Sequence, residues 1–154
     1  MKGAPMLKLS RKTVLALEAV LDVAYNARPN PVQARDITER QGIPQRYLEQ
    51  VMQQLVRAGV LKGVRGPRGG YTLARERRRV TVGDVVRVVS ALEAEGEDGP
   101  SGGTLAEMVV GPLWETMQAD LLARLDDITM EDLCREAARK KVRRADEARP
   151  DFEI

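Results

Sequence analysis

The stretch from Gln33 to Leu73, QARDITERQGIPQRYLEQVMQQLVRAGVLKGVRGPRGGYTL, decides the fold. A short periodic segment over 34–40 meets a break at Gly42, and a longer periodic segment runs over about 45–58. Two short apolar runs, VLKGV and YTL, then flank the turn-forming string RGPRGG. This layout predicts a helix-turn-helix followed by a β-hairpin wing. On the second helix Tyr47, Leu48, Val51, Met52, Leu55 and Val56 recur at three- and four-residue spacing, so they share one face and must pack on neighbouring helices. The opposite face carries Gln45, Arg46, Glu49, Gln50, Gln53 and Arg57. Gln and Arg can each make paired hydrogen bonds to base edges, which suits that face to the major groove. Polar residues on one amphipathic helix would, taken alone, be read as a solvated surface.

The turn that follows changes the balance. Pro67 fixes one backbone angle, while Gly66, Gly69 and Gly70 accept angles that other residues resist, so the tip is tight and protruding. Arg65 and Arg68 sit at the tip beside Lys62, and no acidic residue lies between Glu49 and Glu76. Such a concentration of positive charge suits a phosphate backbone. A nucleotide cradle is excluded: there is no GxxxxGK[ST] or GxGxxG pattern, and these glycines join two strands instead of opening a helix.

The chain of 154 residues has room for one domain, or for a small domain with an oligomerisation element. Aromatic residues make up only 3%, which argues against a stacking platform for single-stranded nucleic acid. No stretch approaches the length of a membrane span and the N-terminus does not resemble an export signal, so a cytoplasmic protein is expected. There is no His, and Cys134 is the single cysteine. These absences exclude Cys-rich zinc sites, HExxH metalloproteases and His-based catalytic dyads or triads, and no enzyme activity is expected. The net charge of +2 hides an asymmetry. Residues 1–90 carry 17 basic and 7 acidic side chains, whereas residues 91–154 carry 8 and 16. The first part is built to meet a polyanion, and the second to stay off it.

Ahead of the deciding stretch, a short basic arm over 1–8 leads to Ser10, which can cap a helix ending near Ala27. Val32 is read as the start of the next element, with Ala34, Ile37 and Thr38 on the packed side of a short helix. After the wing, Arg75 and Arg77 to Arg79 form the densest basic run, and Thr81 caps a Val-rich helix facing the core. Residues 93–103 are acidic and rich in helix breakers, and read as a flexible loop. A long amphipathic helix is predicted over about 104–125, with the pair Gly111-Pro112 kinking or offsetting its start. So small a domain has little core left to cover it, which makes pairing with a second subunit through Leu113, Met117, Leu121 and Leu125 the economical solution. Thr129 caps a terminal helix reaching about Lys140, with Asp132 as the capping-box partner. The organisation is therefore a DNA-binding domain over 8–92, the acidic loop over 93–103, dimerisation and sensory helices over 104–140, and a charged tail over 141–154.

Taken together, YLEQVMQQLVRAGVLKGVRGPRGGYTLAR from Tyr47, DITERQGI from Asp36, Leu113-Trp114 and DDIT from Asp126 resemble the winged-helix transcription regulators typified by the iron-sulfur cluster regulator (IscR-like). The resemblance extends from about Leu7 to Leu133, and RGPRGGY beside the YLEQ helix is its most specific part. It implies a mainly α winged-helix homodimer on partly palindromic double-stranded promoter DNA, with the helix from Gln45 in the major groove and the wing over Arg65 to Gly70 near the minor groove. In cluster-binding members, three Cys precede the dimer helix and a His lies near its start. Here the corresponding loop has no Cys and the His position matches Gly111, so none of the four ligands carries over.

The expected function is a homodimeric, sequence-specific promoter-binding regulator acting as a repressor without the usual cluster. Gln45, Arg46, Glu49 and Gln50 would face the groove, Arg65 and Arg68 would serve as wing contacts, and no metal ligands are assigned. Regulation would then come from a small effector, a partner protein or oxidation of Cys134. Two alternatives stand beside it. One is an iron- or redox-sensing regulator holding an atypical 2Fe-2S cluster through Cys134 and loop carboxylates such as Glu93, Glu95, Glu97 and Asp98. The other is a winged-helix protein-interaction module that reads no DNA.

Overall fold

The computed structural model describes residues 7–95 and 102–147. The expected N-terminal arm, acidic loop and charged tail lie partly outside these residues, over 1–6, 96–101 and 148–154. Six α-helices and one hairpin follow in order: α1 (Arg11–Asn26), α2 (Ala34–Gln41), α3 (Gln45–Arg57), β1 (Leu61–Val64), β2 (Gly70–Leu73), α4 (Val82–Glu93), α5 (Gly111–Asp126) and α6 (Met130–Arg139). The fold is mainly helical, with a helix-turn-helix, a hairpin wing and a long helix towards the C-terminus, as the sequence predicts.

The core forms where α1, α3 and α4 meet. From α3, Leu48, Val51, Met52 and Leu55 are fully buried against Val20 and Val23 of α1 and Val85 and Val89 of α4. Each such side chain withdraws enough apolar surface to contribute about 1.5–3 kcal/mol before ordering costs. Tyr47 is half-buried at the edge of this face, and Val56 stays 36% exposed. The apolar face of α3 is thus narrower than its sequence periodicity suggests.

Helix α3 stops at a Schellman turn. The Gly59 N–H donates to Val56 O and the Val60 N–H to Leu55 O, with Gly59 at φ +78°, a conformation that only glycine adopts cheaply. The chain then enters β1, which pairs antiparallel with β2 from Leu61–Leu73 to Val64–Gly70. Val32 does not begin a helix. It bridges to Tyr71, adding a short third edge to the wing, and α2 starts two residues later at Ala34. At Gly70 the backbone lies at φ +149°, and an added Cβ would come within 2.4 Å of Val32 O, so glycine there permits this close approach.

Two capping boxes fix the second half. Thr81 Oγ1 accepts from Asp84 N–H and Thr129 Oγ1 from Asp132 N–H, each at 3.0 Å, and both aspartates accept in return from the cap backbone N–H. The first residues of α4 and α6 are also tied to one another: Val82 N–H donates to Ile128 O and Met130 N–H to Val80 O, both at 2.8 Å. Arg87 closes a bidentate ion pair on Asp126, at 2.8 and 2.6 Å, holding the end of α5 on α4. The guanidinium keeps the Asp126 carboxyl below its usual range, chiefly by hydrogen bonding. Both partners are exposed, so the pair orients α5 more than it stabilises the protein.

The long helix has an irregular start. Ahead of α5 the chain makes a π-turn over Ala106–Val110, with Gly111 N–H donating to Ala106 O. Pro112 has no N–H to give and its ring would crowd the carbonyl four residues back, so a widened turn directly before it relieves that conflict. A Cβ at Gly111 would meet Ala106 O at 2.7 Å.

Replacement of a residue from the buried face of α3 should separate packing from surface. Leu55→Ala is expected to lower unfolding free energy by about 2–5 kcal/mol, against about 0.5 kcal/mol or less for the exposed Gln53→Ala, measured by denaturant unfolding.

Candidate nucleic-acid interface

With its apolar side committed to the core, α3 turns a polar side outwards. Gln45, Arg46, Glu49, Gln50, Gln53 and Arg57 are all exposed. Gln45 Nε2 donates to Glu49 Oε1 at 3.0 Å, so these two side chains brace one another one turn apart. Arg46 and Gln50 stand beside them with no hydrogen bond or ion pair among the described residues that would withhold them from a ligand.

The wing carries Lys62, Arg65 and Arg68, all exposed. Gly69 N–H closes its tip by donating to Gly66 O at 2.9 Å. No side-chain hydrogen bond or ion pair among the described residues engages Arg65 or Arg68, and no carboxylate neutralises them. The basic run after the wing is used differently. Arg75 pairs with Asp84 at 2.9 Å, Arg77 with Glu131 at 3.1 Å and Arg78 with Glu76 at 2.8 Å, so three of its four arginines are internally compensated.

Sequence reading missed how α3 is held from its N-terminal end. The Tyr47 hydroxyl donates to the Lys12 carbonyl at 2.7 Å, and the Lys12 ammonium lies 5.9 Å from the Tyr47 ring centroid. This joins the first turn of α3 to the first turn of α1 and brings Lys12 to the exposed polar face. Desolvation pushes the Tyr47 phenol up to about 12, with the charge of Glu93 adding to the shift. At the other side of the helix-turn-helix, Asp22 is buried and receives both Arg40, through two 2.9 Å bonds, and Gln41. No local pattern signals either contact, since the partners lie on separate helices.

Beyond the reading face, α5 buries none of its residues fully. Leu113 and Met117 are 57% and 54% exposed, and Leu105, Met108, Val109 and Trp114 continue the same uncovered apolar surface. Leu121 is half-buried, and Leu125 packs on the chain's own core. Cys134 is 3% exposed and lies in the core with Met130. Burial pushes its thiol up, and the opposing Arg77 charge does not overcome that push, so the thiol form is favoured.

Among the described residues, no three His, Cys, Asp or Glu side chains gather closely enough to hold a metal ion. Around the π-turn Leu105, Met108, Val109 and Val110 are exposed together with Glu107, whose carboxylate is the one ionisable donor of the turn, and neither thiolate nor imidazole is present there. Helices among the described residues are too short or too polar to cross a membrane.

Comparison with known proteins agrees with this geometry. The Rrf2 family, described as an iron-dependent transcriptional regulator, matches residues 9–136. The HTH-type transcriptional regulator IscR of Aliivibrio salmonicida is 38% identical over 131 residues, covering 82% of this chain and 77% of the relative. Among solved structures, T. potens IscR matches with a TM-score of 0.69 at 36% identity, over 90% of this chain and 93% of that one. CymR, the global cysteine regulator of B. subtilis, matches with a TM-score of 0.66 at 31% identity, over 85% and 98%. The chain belongs to the Rrf2 family of winged-helix, DNA-binding transcription regulators.

The Tyr47 contact gives a spectroscopic prediction. Its raised phenol contributes stability that is fully present below the unfolded tyrosine range near 10 and is lost as pH rises through about 12. Ultraviolet titration of the protein should contain a tyrosinate component near 12 that disappears in Tyr47→Phe.

Proposed function

We propose that this protein is a homodimeric repressor that reads partly palindromic promoter DNA and does so without an iron-sulfur cluster. The observation that carries the DNA reading is the pairing of two uncompensated surfaces on one rigid unit. One is the polar face of α3, and the other is the wing with Arg65 and Arg68. Arg46 and Gln50 read base edges in the major groove, with Gln45 and Glu49 beside them, and Arg65 and Arg68 contact phosphate as the wing approaches the minor groove. Lys12, brought close by Tyr47, adds a cation at the edge of the same surface.

A second copy covers the apolar surface around Leu113 and Met117, and with it Leu105, Met108, Val109 and Trp114. A patch of this kind on a soluble chain is an association surface. Leu121, half-buried, borders that surface and completes the interface with Leu113 and Met117, while Leu125 seats α5 on its own domain. Dimerisation through α5 places two copies of α3 to meet successive major-groove faces, so the spacing of half-sites is set by the protein.

Family members described as iron-dependent suggest a metal-linked signal, but the donor set here does not fit one. Gly111 stands where the resemblance places a His, the preceding loop lacks cysteine, and Cys134 is enclosed in the core. Burial also disfavours Cys134 as a redox sensor, because reactive cysteines are exposed and have depressed pKa values. A small effector or a partner protein is the remaining source of regulation, and the site of action is the cytoplasm.

Removing both wing arginines, Arg65→Ala with Arg68→Ala, should weaken operator binding and flatten the salt dependence by about 1 per lost phosphate contact, roughly 4 for the dimer. An unchanged slope in a folded dimer would reject the wing contact. Arg46→Ala should instead relax base preference, costing about 1–3 kcal/mol of discrimination at one position in each half-site. Met117→Asp is expected to shift sedimentation towards monomer, and an unchanged tight dimer would remove Met117 from the interface.

A further inference from the structure

A cleft of about 360 Å³ lies where the end of α1, the turn after the wing and α6 meet. It is lined by Arg28, Glu76, Arg77, Arg78, Glu131 and Arg135, four guanidiniums against two carboxylates. The carboxylates are already engaged. Glu76 is taken by Arg78 at 2.8 Å, while Glu131 is shared between Arg77 at 3.1 Å and Arg135 at 3.9 Å. Arg28 makes no side-chain hydrogen bond or ion pair among the described residues. Arg77 Nε is buried and makes no hydrogen bond, although it lies 3.1 Å from Glu131 Oε2 in their ion pair. The cleft therefore holds two more guanidiniums than carboxylates, with Arg28 unpaired among the described residues and Arg77 Nε short of a hydrogen bond, an excess that an anion would offset.

This charge does not belong to the reading face. Lys12, which touches Tyr47, lies in the first turn of α1, and Arg28 lies just past its last. A helix of 16 residues is about 24 Å long, so the two ends are well beyond one Debye length of about 8 Å at physiological ionic strength. The Arg28 side of the cleft is therefore separated by the length of α1 from the Lys12–Tyr47 contact at the start of α3. Its volume sits at the small end of the range for ligand pockets, about 300–1,000 Å³, which fits a compact metabolite.

We propose that this cleft is a receptor site for a small, multiply charged oxyanion, a phosphoryl or polycarboxylate compound. Arg28 and Arg135 close on it from α1 and α6, and the planar fork of arginine suits such groups by paired hydrogen bonds. Arg77 Nε gains its missing hydrogen bond from the same ligand. The occupant would touch both α6 and the chain returning from β2, which is how a ligand here would reach the wing. The site itself does not depend on the DNA-binding reading.

Calorimetric titration of the intact protein at fixed ionic strength tests it, with inorganic pyrophosphate and citrate as separate probes. Two double variants accompany the wild type: Arg28→Ala with Arg135→Ala, and Arg65→Ala with Arg68→Ala. The cleft pair is exposed, Arg135 at 74%, so its removal should leave the fold intact by circular dichroism. Saturable binding of at least one probe, one per chain, is expected, weakened at least tenfold in the cleft variant and unchanged in the wing variant. The stronger probe distinguishes phosphoryl from polycarboxylate ligands. Failure of both probes to saturate in the millimolar range would overturn the proposal. So would binding that survives the cleft variant, or that falls equally in the wing variant.

Discussion

Burial of one face of α3 is the constraint on which the rest of the molecule depends. Leu48, Val51, Met52 and Leu55 are enclosed by α1 and α4, and their removal from water fixes the rotation of the helix about its own axis. Once that rotation is fixed, Gln45, Arg46, Glu49 and Gln50 have only solvent to face. The surface proposed to read DNA thus follows from a packing requirement, since polar groups excluded from the core are presented together in a fixed order. The Tyr47 hydroxyl and the buried Asp22 then tie α3 and α2 to α1 at two points.

The second half of the chain solves a different problem, how to seat an apolar helix that the domain is too small to cover. Its C-terminal end is held by Arg87–Asp126, by the short hydrogen-bonded bridge between the starts of α4 and α6, and by Leu125 in the core. Among the described residues, its N-terminal end, including the π-turn, receives no such cover. One end of α5 is therefore anchored, and the other exposes the apolar surface proposed to meet a second copy. Since α4 also packs on α3, the orientation of α5 and that of the reading helix are set by the same element.

Much of this was legible in the sequence because it rests on local rules. Helical periodicity located α3, Gly42 marked the turn before it, and Thr81 and the Thr129–Asp132 pair marked the starts of α4 and α6. The family assignment from RGPRGGY and its neighbours is upheld by the match over residues 9–136. What was not legible depends on distant partners. Val32 looked like a helix start because its bridge to Tyr71 joins residues far apart in sequence. Leu125 shares its periodicity with Leu113 and Met117, and only the placement of α5 on α4 separates a covered residue from two exposed ones. Likewise Arg77, legible only as part of the basic run after the wing, is paired with a glutamate on α6.

The account holds that fold, charge and dimer geometry suffice for sequence recognition, with no metal needed to assemble the reading surface. The most direct measurement is selection from a random duplex library using protein purified without oxygen, then stripped of metal and verified to lack iron and acid-labile sulfide. The account predicts recovery of one two-fold symmetric sequence, with half-sites about one helical turn, roughly 10 base pairs, or a multiple of it apart. Enrichment of no sequence, or enrichment only by protein retaining iron and sulfide, would contradict it.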